Sequence, residues 1–125
     1  MARIIALMLA FIFPILVNAS DSGSQIAWTS ETLNLVKNGN AENGKNLAES
    51  CKACHGLRGE GTAAETRDGE VTPAIPALAG QTANYMFKQL RDYYNGDREN
   101  DIMTGIAKGL SEQDVADLAA WFSSL

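Results

Sequence analysis

Cys51-Lys52-Ala53-Cys54-His55 takes up both cysteines and the only histidine of the 125-residue chain. If these five residues lie on a helix, positions i, i+3 and i+4 fall on one face, so two thiols and an imidazole point together at a single planar ligand. A structural zinc site wants four Cys or His ligands, and only three such residues are present. A thioredoxin-like redox pair wants a strand-helix-strand frame, and no convincing strand is read here. A chance match or a structural disulfide are the remaining alternatives. The reading that uses every residue of the run is covalent haem attachment, with thioethers from Cys51 and Cys54 to the haem vinyl groups and His55 on the proximal side of the iron.

The beginning of the chain bears on the compartment. Arg3 is followed by an apolar run from Ile4 to Val17 and then by Val17-Asn18-Ala19, the three parts of a secretory signal peptide. Residues 1–19 are therefore expected to be a signal peptide cleaved after Ala19. The alternative is a retained anchor, but the run is shorter than the roughly 18–20 residues that spanning requires and contains Pro14. The expected destination is the bacterial periplasm, with no stable membrane insertion after cleavage. The formal net charge is −5, and loss of Arg3 with the leader makes it one unit more negative. Nucleic acid and anionic membrane surfaces are poor partners for such a chain. Its acidity fits ordinary solubility and steering toward a basic docking patch equally well. One domain of this length supports only a modest core, so a large apolar cofactor would supply much of its interior.

Three segments follow from composition: the signal peptide 1–19, a leader 20–39 whose polar start is expected to be flexible, and a domain from 40 to 125. Ser30 to Lys37 is expected to form a short helix with Leu33 and Val36 on one side, broken by Gly39-Asn40. Asn40 is placed to cap the next helix, in which Gly44, Leu47, Ala48 and Cys51 recur at helical spacing and lead to the cysteine pair. Gly56 to Gly80 reads as a long loop with Pro73 and Pro76. A 25-residue structureless stretch is unusual in a compact domain unless functional, and wrapping a haem edge would account for it. A helix is expected from Ala83 to Asn95, with Phe87, Leu90 and Tyr94 on one face, ended by Gly96. In the last helix Ser111-Glu112-Gln113-Asp114 resembles a capping box, with Leu110 and Val115 at hydrophobic-staple spacing. Val115, Leu118, Ala119, Phe122 and Leu125 repeat at helical period while Asp114 and Asp117 are expected to face away. The fold class is all-α, helices with long loops around one haem.

A second iron ligand divides electron carriers from ligand-binding or catalytic haem proteins. Histidine is excluded within the chain, and beyond the signal peptide only Met86 and Met103 remain. Met86 sits in an amphipathic helix beside Tyr85 and Phe87, a core-filling setting. Met103 stands in Asn100-Asp101-Ile102-Met103-Thr104-Gly105, read as a loop able to present a thioether; an ordinary buried loop methionine is the alternative.

From Asn40 to Leu125 the chain resembles a bacterial class I cytochrome c, and is most similar to one domain of the small soluble dihaem periplasmic cytochromes. The resemblance rests on Gly44-Lys45 ahead of Cys51-Lys52-Ala53-Cys54-His55-Gly56 and on Ile75-Pro76-Ala77-Leu78-Ala79-Gly80-Gln81. It continues through Lys88-Gln89-Leu90, Met103, Leu110-Ser111 and Leu118-Ala119-Ala120-Trp121-Phe122. It implies a class I cytochrome c fold with Met103 as the distal ligand. It also implies that the carbonyl of Pro76 accepts the proton on the far nitrogen of His55, that Leu78 packs on the haem, and that Gly44 lets the first and last helices cross closely against Trp121. The departures are one haem motif where those relatives have two, and a leader of about twenty residues before Asn40.

The function so implied is one-electron transfer through a His/Met haem c, without substrate turnover, between redox protein donors and acceptors bearing basic docking patches. The alternative is a cytochrome subunit of a dehydrogenase: Ile106-Ala107-Lys108-Gly109 before Leu110-Ser111 also resembles the haem subunit of flavocytochrome sulfide dehydrogenases. Ile26, Trp28 and Leu33 would then be candidates for an apolar docking patch. A catalytic or gas-sensing haem protein is the third reading and requires that Met103 leave the iron open.

Overall fold

The computed structural model describes residues 28–125. The signal peptide 1–19 and leader residues 20–27, including Ile26, lie outside the described residues. The first described helix, α1 (Ser30–Lys37), has the expected bounds, with the Thr29 hydroxyl accepting from the Thr32 N–H at 3.1 Å. Of the two residues expected on one side of it, Val36 is inside, whereas Leu33 remains 46 % exposed. The Asn40 side chain caps α2 (Ala41–Leu47), its carbonyl oxygen accepting from Glu42 and Asn43 N–H at 3.0 Å each. The chain then tightens through a single 3₁₀ turn, Ala48–Ser50, before the four-residue α3 (Lys52–His55). Gly56, at φ 88°, ends it.

The stretch 56–80 is not structureless. It carries a small antiparallel hairpin, β1 (Glu65–Arg67) and β2 (Glu70–Thr72), in register Thr66 to Val71. The turn is Asp68-Gly69, with φ of 53° and 84°, the pair of positive angles that a tight two-residue hairpin turn demands. Backbone bonds between Thr62 and Ile75 close the excursion at 2.8 and 3.0 Å, and Leu78 N–H donates to Gly59 O at 2.7 Å. Asp-Gly is a recognised hairpin-turn dipeptide, the one signal in the sequence for the strands that the sequence reading omitted.

Helix α4 (Ala83–Asn95) starts at a Thr82 cap and ends at Gly96, φ 87°. It buries Met86, Phe87, Leu90 and Tyr93, while Tyr94 is 41 % exposed. Phe87 and Leu90 face inward as expected, and Tyr93 takes the place expected of Tyr94. Asn100, read as loop, is the cap of a further helix, α5 (Asp101–Lys108), with its side-chain oxygen accepting from Met103 N–H at 2.9 Å. The last helix, α6 (Glu112–Ser123), opens on the expected Ser111/Asp114 capping box.

Helix α6 is the hub: α1, α2 and α4 pack on it, and α5 packs on α4. The core runs through Val36, Ala48, Met86, Phe87, Val115, Leu118 and Phe122. Asp117 corrects the pattern reading, because it is buried within α6 and does not face solvent. Among the described residues no helix is long and apolar enough to cross a membrane.

Candidate haem site

The short helix α3 exists to place three side chains. His55 N–H donates to Cys51 O at 2.9 Å, closing the turn that brings Cys51, Cys54 and His55 to one side. His55 is 6 % exposed, and its Nδ1 lies 2.8 Å from the carbonyl oxygen of Pro76. A carbonyl oxygen only accepts, so Nδ1 carries the proton and Nε2 keeps its lone pair for a metal. The carbonyl is itself held in place. At Gly61, φ 69°, a Cβ would stand 2.4 Å from Ile75 O and 2.7 Å from the Pro76 carbonyl carbon. Only glycine lets the 59–62 turn lie directly on the Ile75–Ala77 backbone.

Cys51 is half-buried against the core and Cys54 is exposed; neither forms a disulfide. Burial pushes the Cys51 thiol above its ordinary value, a Ser50 hydrogen bond opposes this, and the neighbouring Cys54 adds to it. A redox-active Cys-x-x-Cys pair works through a lowered thiol pKa, so the direction here runs against that alternative.

Cys54 and His55 open onto a cavity of about 490 Å³, within the size range of small-molecule and cofactor sites. Pro76 and Leu78 form one part of its wall, Met86, Leu90 and Tyr93 of α4 another, and Ile102 and Met103 of α5 a third. The lining is mainly apolar, with Gln89, Arg98 and Asn100 also contributing. A flat, largely apolar macrocycle suits this space, and an imidazole with its lone pair free borders it. Another groove, about 510 Å³ among Leu33, Val36, Ala83 and Ala120, is lined by no cysteine, histidine or methionine.

Met86 and Met103 both border the cavity. Met86 is buried in the core as expected. Met103 is half-buried on the first turn of α5, so a helix and not a loop presents it. Since α5 packs on α4 while α3 continues from α2, His55 and Met103 reach the cavity from separate elements. The sequence reading gave Tyr93, Gln89, Arg98 and Asn100 no place in the cavity wall. A cation and two amides close to Met103 in sequence or one helix away was the available signal.

A Cys-x-x-Cys-His turn with Cys54 and His55 bordering one apolar cavity, and Cys51 half-buried against the core, is the attachment pattern of a c-type cytochrome. Residues 41–125 match the family model Cytochrome c, and the chain belongs to that family, with haem c held covalently through Cys51 and Cys54. Its fold is the class I cytochrome c fold. It is 38 % identical over 89 residues to cytochrome c-554(548) of Halomonas halodenitrificans, covering 69 % of this chain and 96 % of that one. It is 41 % identical over 78 residues to a thiosulfate dehydrogenase electron acceptor of Thiomonas intermedia, covering 62 % of this chain and 32 % of the relative. A solved cytochrome c4 structure from Acidithiobacillus ferrooxidans superposes with a TM-score of 0.58 at 34 % identity, covering 68 % of this chain and 49 % of that one. The chain thus spans nearly all of the first protein but half or less of the other two.

Proposed function

We propose that this chain is a periplasmic one-electron carrier, exported by residues 1–19 and functional as the domain 40–125, with His55 and Met103 as the residues that would hold the haem iron. The observation that carries the reading is that His55, oriented by Pro76 at 2.8 Å, and Met103 border one and the same cavity. When bound, haem supplies an iron centre that gains and loses a single electron. Pro76 fixes the His55 ring, as hydrogen-bond partners of metal-bound histidines do. A Met103 thioether on the iron would favour the ferrous state, and Leu78 would pack on the macrocycle. With His55 and Met103 both holding the iron there would be little room for substrate, which supports a carrier rather than an enzyme.

Met103→Ala tests this. The variant is expected to change the haem absorption spectrum, lower the reduction potential and bind carbon monoxide rapidly in its ferrous form. An unchanged spectrum and potential would show that Met103 is not a ligand.

A second reading, electron outlet of a periplasmic dehydrogenase such as a flavocytochrome sulfide dehydrogenase, is favoured by the exposure of Trp28 and Leu33, 40 % and 46 %. The name of the Thiomonas relative fits the same class of donor. Size-exclusion chromatography of native extract, followed by haem absorbance, separates the two readings: a small monomer for the carrier, co-elution with a flavoprotein for the subunit.

A further inference from the structure

Every residue from 62 to 74 is exposed, so the β1/β2 hairpin takes its shape without a buried face. A free two-stranded hairpin is marginal in water, but this one is set at both ends. The Asp68-Gly69 turn closes its tip, and the paired backbone bonds between Thr62 and Ile75 close its base. Next to that base, Gly61 N–H donates to His55 O at 2.8 Å. On the other side β2 runs on into Pro73, Ala74, Ile75 and Pro76, all of which border the cavity. The hairpin is an arm built on the same backbone that orients His55, and a protein that grips it is held beside the cavity.

The register decides what the arm presents. Side chains alternate along a strand, and residues directly opposite each other share a face. Glu65 lies opposite Thr72, Thr66 opposite Val71 and Arg67 opposite Glu70. One face therefore carries Glu65, Arg67, Glu70 and Thr72, and the other carries Thr66 and Val71. The approach of Arg67 to Glu65 at 3.9 Å lies within the first face. Three acids, counting Asp68 at the tip, against one base leave a net charge of −2 on residues 65–72. We propose that the charged face and tip of this hairpin are the docking surface for a basic redox protein, whose lysines and arginines meet Glu65, Asp68 and Glu70. The inference deepens the carrier function proposed above and rests on it. Charge selects the occupant: nucleic acid, an anionic membrane and a second copy of this chain, itself at −5, are all repelled by such a face.

The experiment uses the holoprotein and a lysine-rich mitochondrial cytochrome c as the basic probe. Glu65→Gln with Glu70→Gln removes two charges from the arm. Glu31→Gln with Glu42→Gln removes two from α1 and α2, neither of which borders the cavity. At 10 mM salt the hairpin variant should exchange electrons with the probe about tenfold more slowly than the wild type, and the α1/α2 variant should change by less than about twofold. The gap should close near 150 mM salt, where screening is short-ranged. Equal slowing of the two variants, or slowing of neither, overturns the proposal, since net charge or nothing would then explain the rates. The second measurement needs no variant and decides if the hairpin variant fails to fold. With both proteins reduced, so that no electron passes, titration of the probe should move the backbone amide resonances of residues 65–72. Resonances there that stay fixed while others move place the contact elsewhere and refute the arm. That result leaves the carrier reading standing, because the Met103→Ala spectrum tests it independently.

Discussion

Asp117 is a carboxylate at 2 % exposure in the middle of α6. Its Oδ1 accepts from Asn40 N–H at 2.7 Å and from the Gln113 amide at 2.7 Å, and its Oδ2 accepts from the Asn43 amide at 2.6 Å. Burial pushes its pKa up, but the Asn43, Asn40 and Gln113 hydrogen bonds outweigh burial and hold it below the ordinary 3.8. A depressed folded-state pKa contributes stability that is fully present above the unfolded value, about 3.9, and is lost as pH falls through the folded value. Asp117→Asn puts an N–H where a donor already points, so it should destabilise by about 1–3 kcal/mol at neutral pH. That deficit should shrink as the pH drops below about 4, because the wild type then loses its carboxylate too. Urea unfolding of both proteins at neutral and acid pH checks this, and a deficit independent of pH would refute it. The pattern reading placed Asp117 outward because its helical period says polar, whereas Asn40 and Asn43 lie 77 and 74 residues away. Local periodicity carries no trace of so distant a partner. His55 was legible because the chain has no other histidine and its chemistry is written into five consecutive positions.

At the scale of elements, the α2/α6 crossing depends on Gly44. A Cβ there would stand 1.9 Å from Asp117 O, 2.5 Å from its carbonyl carbon and 2.9 Å from Trp121 Cβ. The first two are backbone atoms of a packed helix and cannot rotate away. Helix propensity alone favours Gly44→Ala by up to about 1 kcal/mol, but overpacking of this kind costs about 1–3 kcal/mol, and a sub-2 Å overlap belongs at the upper end. Gly44→Ala should therefore be net destabilising, read as a lower urea midpoint with an unchanged slope; a raised midpoint would mean that the helices separate freely. The elements read most securely were those whose ends carry their own chemistry: Asn40 before α2, Gly96 after α4 and the Ser111 cap of α6. Helix α5 was missed because Gly105 and the Asn100-Asp101 start look like loop, although Asn100 is its cap. The hairpin was missed because its six strand residues are all exposed and show no inward-facing alternation.

At the scale of the whole molecule, the formal charge of −5 is not spread without regard to the site. The hairpin carries Glu65, Asp68 and Glu70 against Arg67, all exposed, and β2 leads directly into Pro73–Pro76 of the cavity wall. A partner approaching from the hairpin side therefore meets negative potential close to the cofactor, and steering by such a field weakens as salt screens it. The screening length falls from about 30 Å at 10 mM salt to about 8 Å at 150 mM. Electron exchange with a basic redox protein, followed by stopped-flow absorbance, should have a second-order rate that falls steeply over that range. Exchange with an acidic partner should speed up. A rate indifferent to salt for both would show that charge does not guide docking. The exposed Trp28 and Leu33 would then mark the contact surface, as the dehydrogenase-outlet reading requires.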